Sequence, residues 1–104
     1  MKIKLYDIAH SRAGDKGNTL TLSLIAYREE DYALLLEKVT AAAVKNHLQK
    51  IVFGVVTRYE LLNLSALQFV CQDALIGGVT TSLSLDTHGK TLSFALLGME
   101  IDKD

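Results

Sequence analysis

Proline is absent from these 104 residues, tryptophan is absent with it, and there is a single cysteine. Without proline the turns must rest on Gly, Asn, Asp and Ser, so each of the seven glycines becomes a stronger marker of a chain reversal. A lone Cys71 excludes an intramolecular disulfide. Neither charge dominates: 11 Lys and Arg stand against 12 Asp and Glu. That balance argues against nucleic acid or a membrane surface held by bulk electrostatics, while allowing a local basic site. No apolar run reaches the length of a membrane span, and the opening Met1-Lys2-Ile3-Lys4 lacks the uninterrupted apolar stretch of a signal peptide, so the cytoplasm is the expected location. What is present is apolar material, 49 % of the chain. It suffices for one domain over residues 1–104, burying roughly 60–70 % of its unfolded surface.

The periodicity predicts an α+β chain. Lys2 to Ile8 alternates as an edge strand guarded by lysines, and Thr19 to Ala26 alternates more cleanly, with Leu20, Leu22 and Leu24 opposed to Thr19, Thr21 and Ser23. From Asp31 to Leu48 the spacing becomes three and four, the stripe of one amphipathic helix with acids at its start. Ile51 to Arg58 is β-branched and apolar and reads as an interior strand, with Gly54 admitting a neighbouring backbone or a ligand. Asn63 to Ile76 reads as a second helix ended by Gly77-Gly78, Val79 to Asp86 as a fourth strand, and the stretch through Leu92, Ala95, Leu96 and Met99 as a last helix with a frayed charged tail. The order β-β-α-β-α-β-α implies a two-layer sandwich, a four-stranded mixed sheet with helices on one face. The Ser/Thr rows leave the other face either wet or covered by another subunit, and a homo-oligomer is expected.

Two polar stretches offer chemistry. His10-Ser11-Arg12-Ala13-Gly14-Asp15-Lys16-Gly17-Asn18 joins the first two strands. Either the backbone around Gly14 and Gly17 forms an anion-holding nest, with Arg12 as a fork, Lys16 as a point charge and Asn18 beside them, or the run is a long hairpin turn with solvated charges. Asp86-Thr87-His88-Gly89-Lys90 precedes the last helix. There Asp86 could orient His88 as a general acid/base while Gly89 and Lys90 help hold an anion, or Asp86 and Thr87 simply cap the helix. If the loops share a sheet edge, Arg12, Lys16, His88 and Lys90 gather into one cationic pocket for an acidic small molecule or the phosphate end of a coenzyme A thioester. His10, His47 and His88 show no metal-ligand spacing, so no metal and no cofactor is expected. Cys71 reads as an inert core thiol. Arg58 could bind an acid with Tyr59 lining a pocket, or simply pair with Glu60 or another carboxylate at the strand end.

Read together, Asp7 through Asn18, Arg58-Tyr59-Glu60-Leu61 with Asn63-Leu64, Ala74 through Val79, and Leu85 through Lys90 resemble the C-terminal domain of the acyclic terpene utilisation (AtuA) family. Leu62 and Ile76 stand where similar sequences tend to carry proline and a further glycine. The resemblance implies a small ferredoxin-fold-like domain, usually appended to a larger N-terminal domain in proteins associated with breakdown of branched acyl-CoA compounds. It implies further an accessory role beside a separate AtuA N-terminal-type subunit. The alternative is a small enzyme binding an acyl-CoA or carboxylate.

Overall fold

The computed structural model describes residues 1–16, 18–74 and 93–103, the side chains of Asp15 and Lys16 excepted. Four strands, β2 (Ala9–Lys16), β3 (Thr19–Ala26), β4 (Val56–Leu61) and β5 (Ala66–Cys71), form one sheet in the order β2-β3-β5-β4. A short β1 (Lys2–Lys4) pairs instead with β6 (Glu100–Asp102). Between β3 and β4 lie α1 (Glu29–Lys38) and α2 (Ala41–His47), and residues 93–97 are also helical. The chain is the expected α+β arrangement of a four-stranded sheet with helices, but every pairing among the described strands is antiparallel rather than mixed.

The clean alternation of β3 becomes the centre of the fold. Leu20, Leu22 and Leu24 are buried, and their register partners on β5, Cys71, Phe69 and Leu67, are buried with them. Tyr32, Leu35 and Val39 from the first helical segment close over this face, joined by Val44, Leu48 and Leu96. Tyr32 also donates its hydroxyl to the Ala66 carbonyl at 2.9 Å, fixing α1 to β5. Burial raises that phenol above its ordinary pKa, and Glu60 pushes it the same way.

Several expected elements differ, each for a local reason. The single helix over 31–48 is cut at Val39 and Thr40, where Thr40 accepts the Ala43 N–H at 3.0 Å and caps α2. A threonine hydroxyl competes with helical continuation by bonding forward, which ends one helix while starting the next. α1 begins earlier than expected, with Glu29, Glu30 and Asp31 in its first turn and Arg28 at the N-cap position without a side-chain cap bond. The expected helix from Asn63 is a 3-10 turn at Leu62–Leu64 followed by β5. There Leu67, Phe69 and Cys71 at period two outweigh the helical spacing of the same apolar set, because β3 offers an unpaired edge at the same register. The interior strand begins at Val56 rather than Ile51, and β4 lies at an edge. Gly54 does admit a neighbouring backbone: its N–H reaches the Gln72 carbonyl at 3.1 Å. The tail is no frayed end, since Glu100, Ile101 and Asp102 pair with Lys4, Ile3 and Lys2. The expected fourth strand, Val79 to Asp86, lies outside the described residues.

Candidate functional site

The polar run His10 to Lys16 is a strand, not a loop. It pairs residue by residue with β3, from His10 opposite Ile25 to Lys16 opposite Thr19, so only positions 17 and 18 remain to connect the two strands. A nest needs successive N–H groups turned to one side, whereas an extended strand points them alternately left and right. The expected concave cradle around Gly14 is therefore not formed. Gly14 serves a different purpose: Thr21 donates its hydroxyl to the Gly14 carbonyl at 3.2 Å, and a Cβ at Gly14 would stand 3.0 Å from that oxygen.

What the strand creates is a row. On the sheet face away from the helices, Arg12 sits opposite Ser23, Ser23 opposite Gln68, and Gln68 opposite Tyr59, crossing the four strands. The next row runs Gly14, Thr21, Val70 and Thr57. Ile25, Leu61 and Val70, the large aliphatic residues at outward positions, take no part in the core cluster. Asp15 and Glu60 pair with Leu20 and Leu67, at inward positions of the register. No Asp or Glu therefore occupies an outward position in β2 to β5.

Ser23 is consumed by the scaffold. Its hydroxyl accepts the Arg12 N–H at 3.2 Å and lies 3.3 Å from the Arg12 carbonyl, to which it donates. The outward face therefore presents the exposed Arg12, which makes no ion pair among the described residues, together with the amide of Gln68 and the phenol of Tyr59. Beside this row His10 stacks on Tyr27, ring centroids 5.3 Å apart.

The other expected site residues divide as follows. Lys16 ends β2 opposite Thr19, and Asn18 is exposed in the turn, its carbonyl accepting the Ala74 N–H at 2.8 Å. The chain thus enters the stretch that carries the second polar segment from beside the hairpin tip. Gly17, Asp86, His88, Gly89 and Lys90 lie outside the described residues, and so does any meeting of the two segments. Among the described residues no group of His, Cys, Asp and Glu could hold a metal ion, and no helix is long and apolar enough to cross a membrane.

Three roles were not legible beforehand. Arg58 does pair with Glu60, Nη2 to Oε2 at 2.9 Å, but its Nη1 donates to the Leu36 and Val39 carbonyls at 2.9 and 3.0 Å. It caps α1 from a neighbouring strand. His47 lies 2.7 Å through Nε2 from the Ala95 carbonyl, and since a carbonyl only accepts, Nε2 carries the proton and ties α2 to residues 93–97. Lys45 donates to the Gly54 carbonyl across an open groove of about 450 Å³ walled by Ala41, Ala42, Phe53, Val55 and Val56. Only contacts between residues distant in sequence define these roles. Cys71 is a core thiol as expected, pushed up to about 11 by burial, although it sits on a strand.

No curated protein and no solved structure matches the chain. The family model for the AtuA ferredoxin-like domain matches residues 3–102, nearly the whole length of the chain and a span that includes the four stretches noted in the sequence. This α+β chain, with its four-stranded antiparallel sheet and helices, belongs to the AtuA ferredoxin-like domain family.

Proposed function

We propose that the domain is an accessory, anion-holding module of the AtuA type. It acts in the cytoplasm beside a larger partner domain in the breakdown of branched acyl-CoA or terpenoid acids, and it grips the carboxylate or phosphate end of that ligand on its open sheet face. The observation that carries this reading is the outward row headed by Arg12, a guanidinium without a carboxylate partner among the described residues on a face whose paired positions hold no acid. An exposed Arg unopposed by acids is the donor that a carboxylate or phosphate takes in a two-pronged bond, and Gln68 lies two strands away for a second polar contact. Lys16 and Asn18 would add charge and an amide at the tip of the same hairpin. Asp86, His88, Gly89 and Lys90 would complete the site if their segment folds back over it. In that case His88 supplies a titrating group for the enzymatic alternative.

Titration of coenzyme A, an acyl-CoA and a simple carboxylate by calorimetry tests the reading. Arg12→Ala is expected to weaken binding about tenfold or more, the loss of one charge-assisted bond of roughly 1.5–3 kcal/mol, and Arg12→Lys to restore only part of it. Equal affinity for wild type and Arg12→Ala refutes it. If Arg12 proves essential and His88→Ala abolishes turnover of a bound thioester without loss of affinity, the module is the small enzyme instead.

A further inference from the structure

We infer that the outer edge of β4, an edge of the sheet among the described residues, is a self-pairing surface: two copies of the chain join antiparallel along Val56–Leu61, about a two-fold axis at Tyr59, so that their sheets become continuous.

Among the described residues the sheet order leaves two edges, and they are defended unequally. β2 carries Arg12 and Lys16, and cations along an edge repel a second copy of the same strand. β4 carries no lysine and no proline, and among the described residues it is paired on one side only, so that its other side offers backbone groups for pairing. Exposed apolar side chains gather at the same place. Phe53 and Val55 precede the strand, Tyr59 lies within it, and Leu62 and Leu64 follow it, each more than half exposed. Antiparallel pairing sets the start of one strand beside the end of the other. With the axis at Tyr59, Val55 of one copy comes opposite position 63 of the second, between its Leu62 and Leu64.

The charges choose that register. Pairing about Tyr59 places Arg58 opposite Glu60 of the second copy and Glu60 opposite its Arg58. An axis at Arg58 or at Glu60 would instead set like charges about 4.5–5.5 Å apart. The sequence Arg58-Tyr59-Glu60 is self-complementary when read in opposite directions, which an isologous interface requires. Glu60 enters its own ion pair through Oε2, with its side chain 48 % exposed, so the second guanidinium can reach it.

The open sheet face is the weaker surface for a second copy. Stacking two such faces would bury Arg12 of both copies without an acid.

Sedimentation of the chain at about 50 µM, above the micromolar Kd of a weak dimer, is expected to give a dimer, and Tyr59→Glu, which sets like charges at the axis, a monomer with an unchanged circular-dichroism spectrum. Oxidation with copper–phenanthroline fixes the register. Tyr59→Cys brings two thiols within the about 4.4–6.8 Å Cα separation of a disulfide and is expected to yield a covalent dimer. Thr57→Cys sets them roughly 14 Å apart and is expected to yield none. A monomeric wild type, or crosslinking of Thr57→Cys as complete as that of Tyr59→Cys, overturns the inference.

Discussion

Arg58 lends itself to a test that separates two interactions usually counted together. Its guanidinium holds two carbonyls at the end of α1 through Nη1 and the Glu60 carboxylate through Nη2. The carbonyls belong to the negative end of a helix, where unsatisfied groups and the dipole both favour a cation, and the Arg58 side chain is only 20 % exposed there. Glu60 is 48 % exposed, and an ion pair with so much water around it contributes little, under about 1 kcal/mol. Arg58→Ala should therefore cost about 2–4 kcal/mol, the net worth of the charged hydrogen bonds plus the desolvation of carbonyls left without a donor. Glu60→Gln should cost less than about 1 kcal/mol. In urea denaturation with m near 1–2 kcal/mol/M, that is a midpoint lowered by about 1–4 M for the first variant and by less than about 1 M for the second. Arg58→Lys should recover only part of the loss, because one ammonium cannot fork between α1 and Glu60. Equal losses for Arg58→Ala and Glu60→Gln would show that the ion pair, and not the cap, is what Arg58 supplies.

Other variants probe the packing. Gly54→Ala would place a Cβ 2.8 Å from the Gln72 carbonyl oxygen and 2.9 Å from its carbon, main-chain atoms that cannot rotate away. It should lower stability by about 1–3 kcal/mol in the same urea assay. Gly14→Ala meets only the Thr21 hydroxyl at 3.0 Å, a side-chain atom that can turn, and should cost less than Gly54→Ala. Phe69→Ala removes a fully buried ring from the sheet's inner face and should cost about 3–5 kcal/mol, a large part of any domain's stability. Cys71 is raised from 9.0 to about 11 because burial disfavours the thiolate. Below pH 9 the thiol is neutral in both states. As pH rises from 9 toward 11 the unfolded thiol ionises first, so stability should fall by up to about 1.4 kcal/mol per pH unit. Thiol reagents at pH 8 should label Cys71 only after denaturation, and prompt labelling of the folded chain would contradict its burial.

The legible parts of the chain are those where one local pattern meets no competitor. Thr19 to Ala26 alternates without interruption and lands on the sheet's centre, with Leu20, Leu22 and Leu24 in the core. Tyr32, Leu35 and Val39 keep their helical spacing and their burial. Around Leu67, Phe69 and Cys71 the same apolar residues satisfy two periods at once, and a vacant edge on β3 decides for the strand. His10 to Lys16 resists reading for another reason. An edge strand with one wet face and the small Ala9, Ser11 and Ala13 at its inward positions has almost none of the β-branched residues that mark a strand. The sequence points to Arg12 and Gly14 for a loop's chemistry, and the structure sets both on a strand.

That exchange alters what the cation can do. In a flexible loop, Arg12 would pay conformational entropy to meet an anion, and its neighbour Asp15 would be near enough to neutralise it. On a strand, successive residues face opposite ways, so the register sets Arg12 outward with Ser23, while Asp15 pairs with the buried Leu20. Its backbone is pinned on both sides by the Ser23 hydroxyl. A hairpin closed by two residues leaves that alternation no room to slip, because a shift of one position would carry Leu20, Leu22 and Leu24 out of the core. The hydrophobic core thereby fixes on which face the guanidinium stands, and in the calorimetric titration disrupting the core at Leu22 should weaken the anion binding proposed for Arg12; undiminished affinity in Leu22→Ala would refute that dependence.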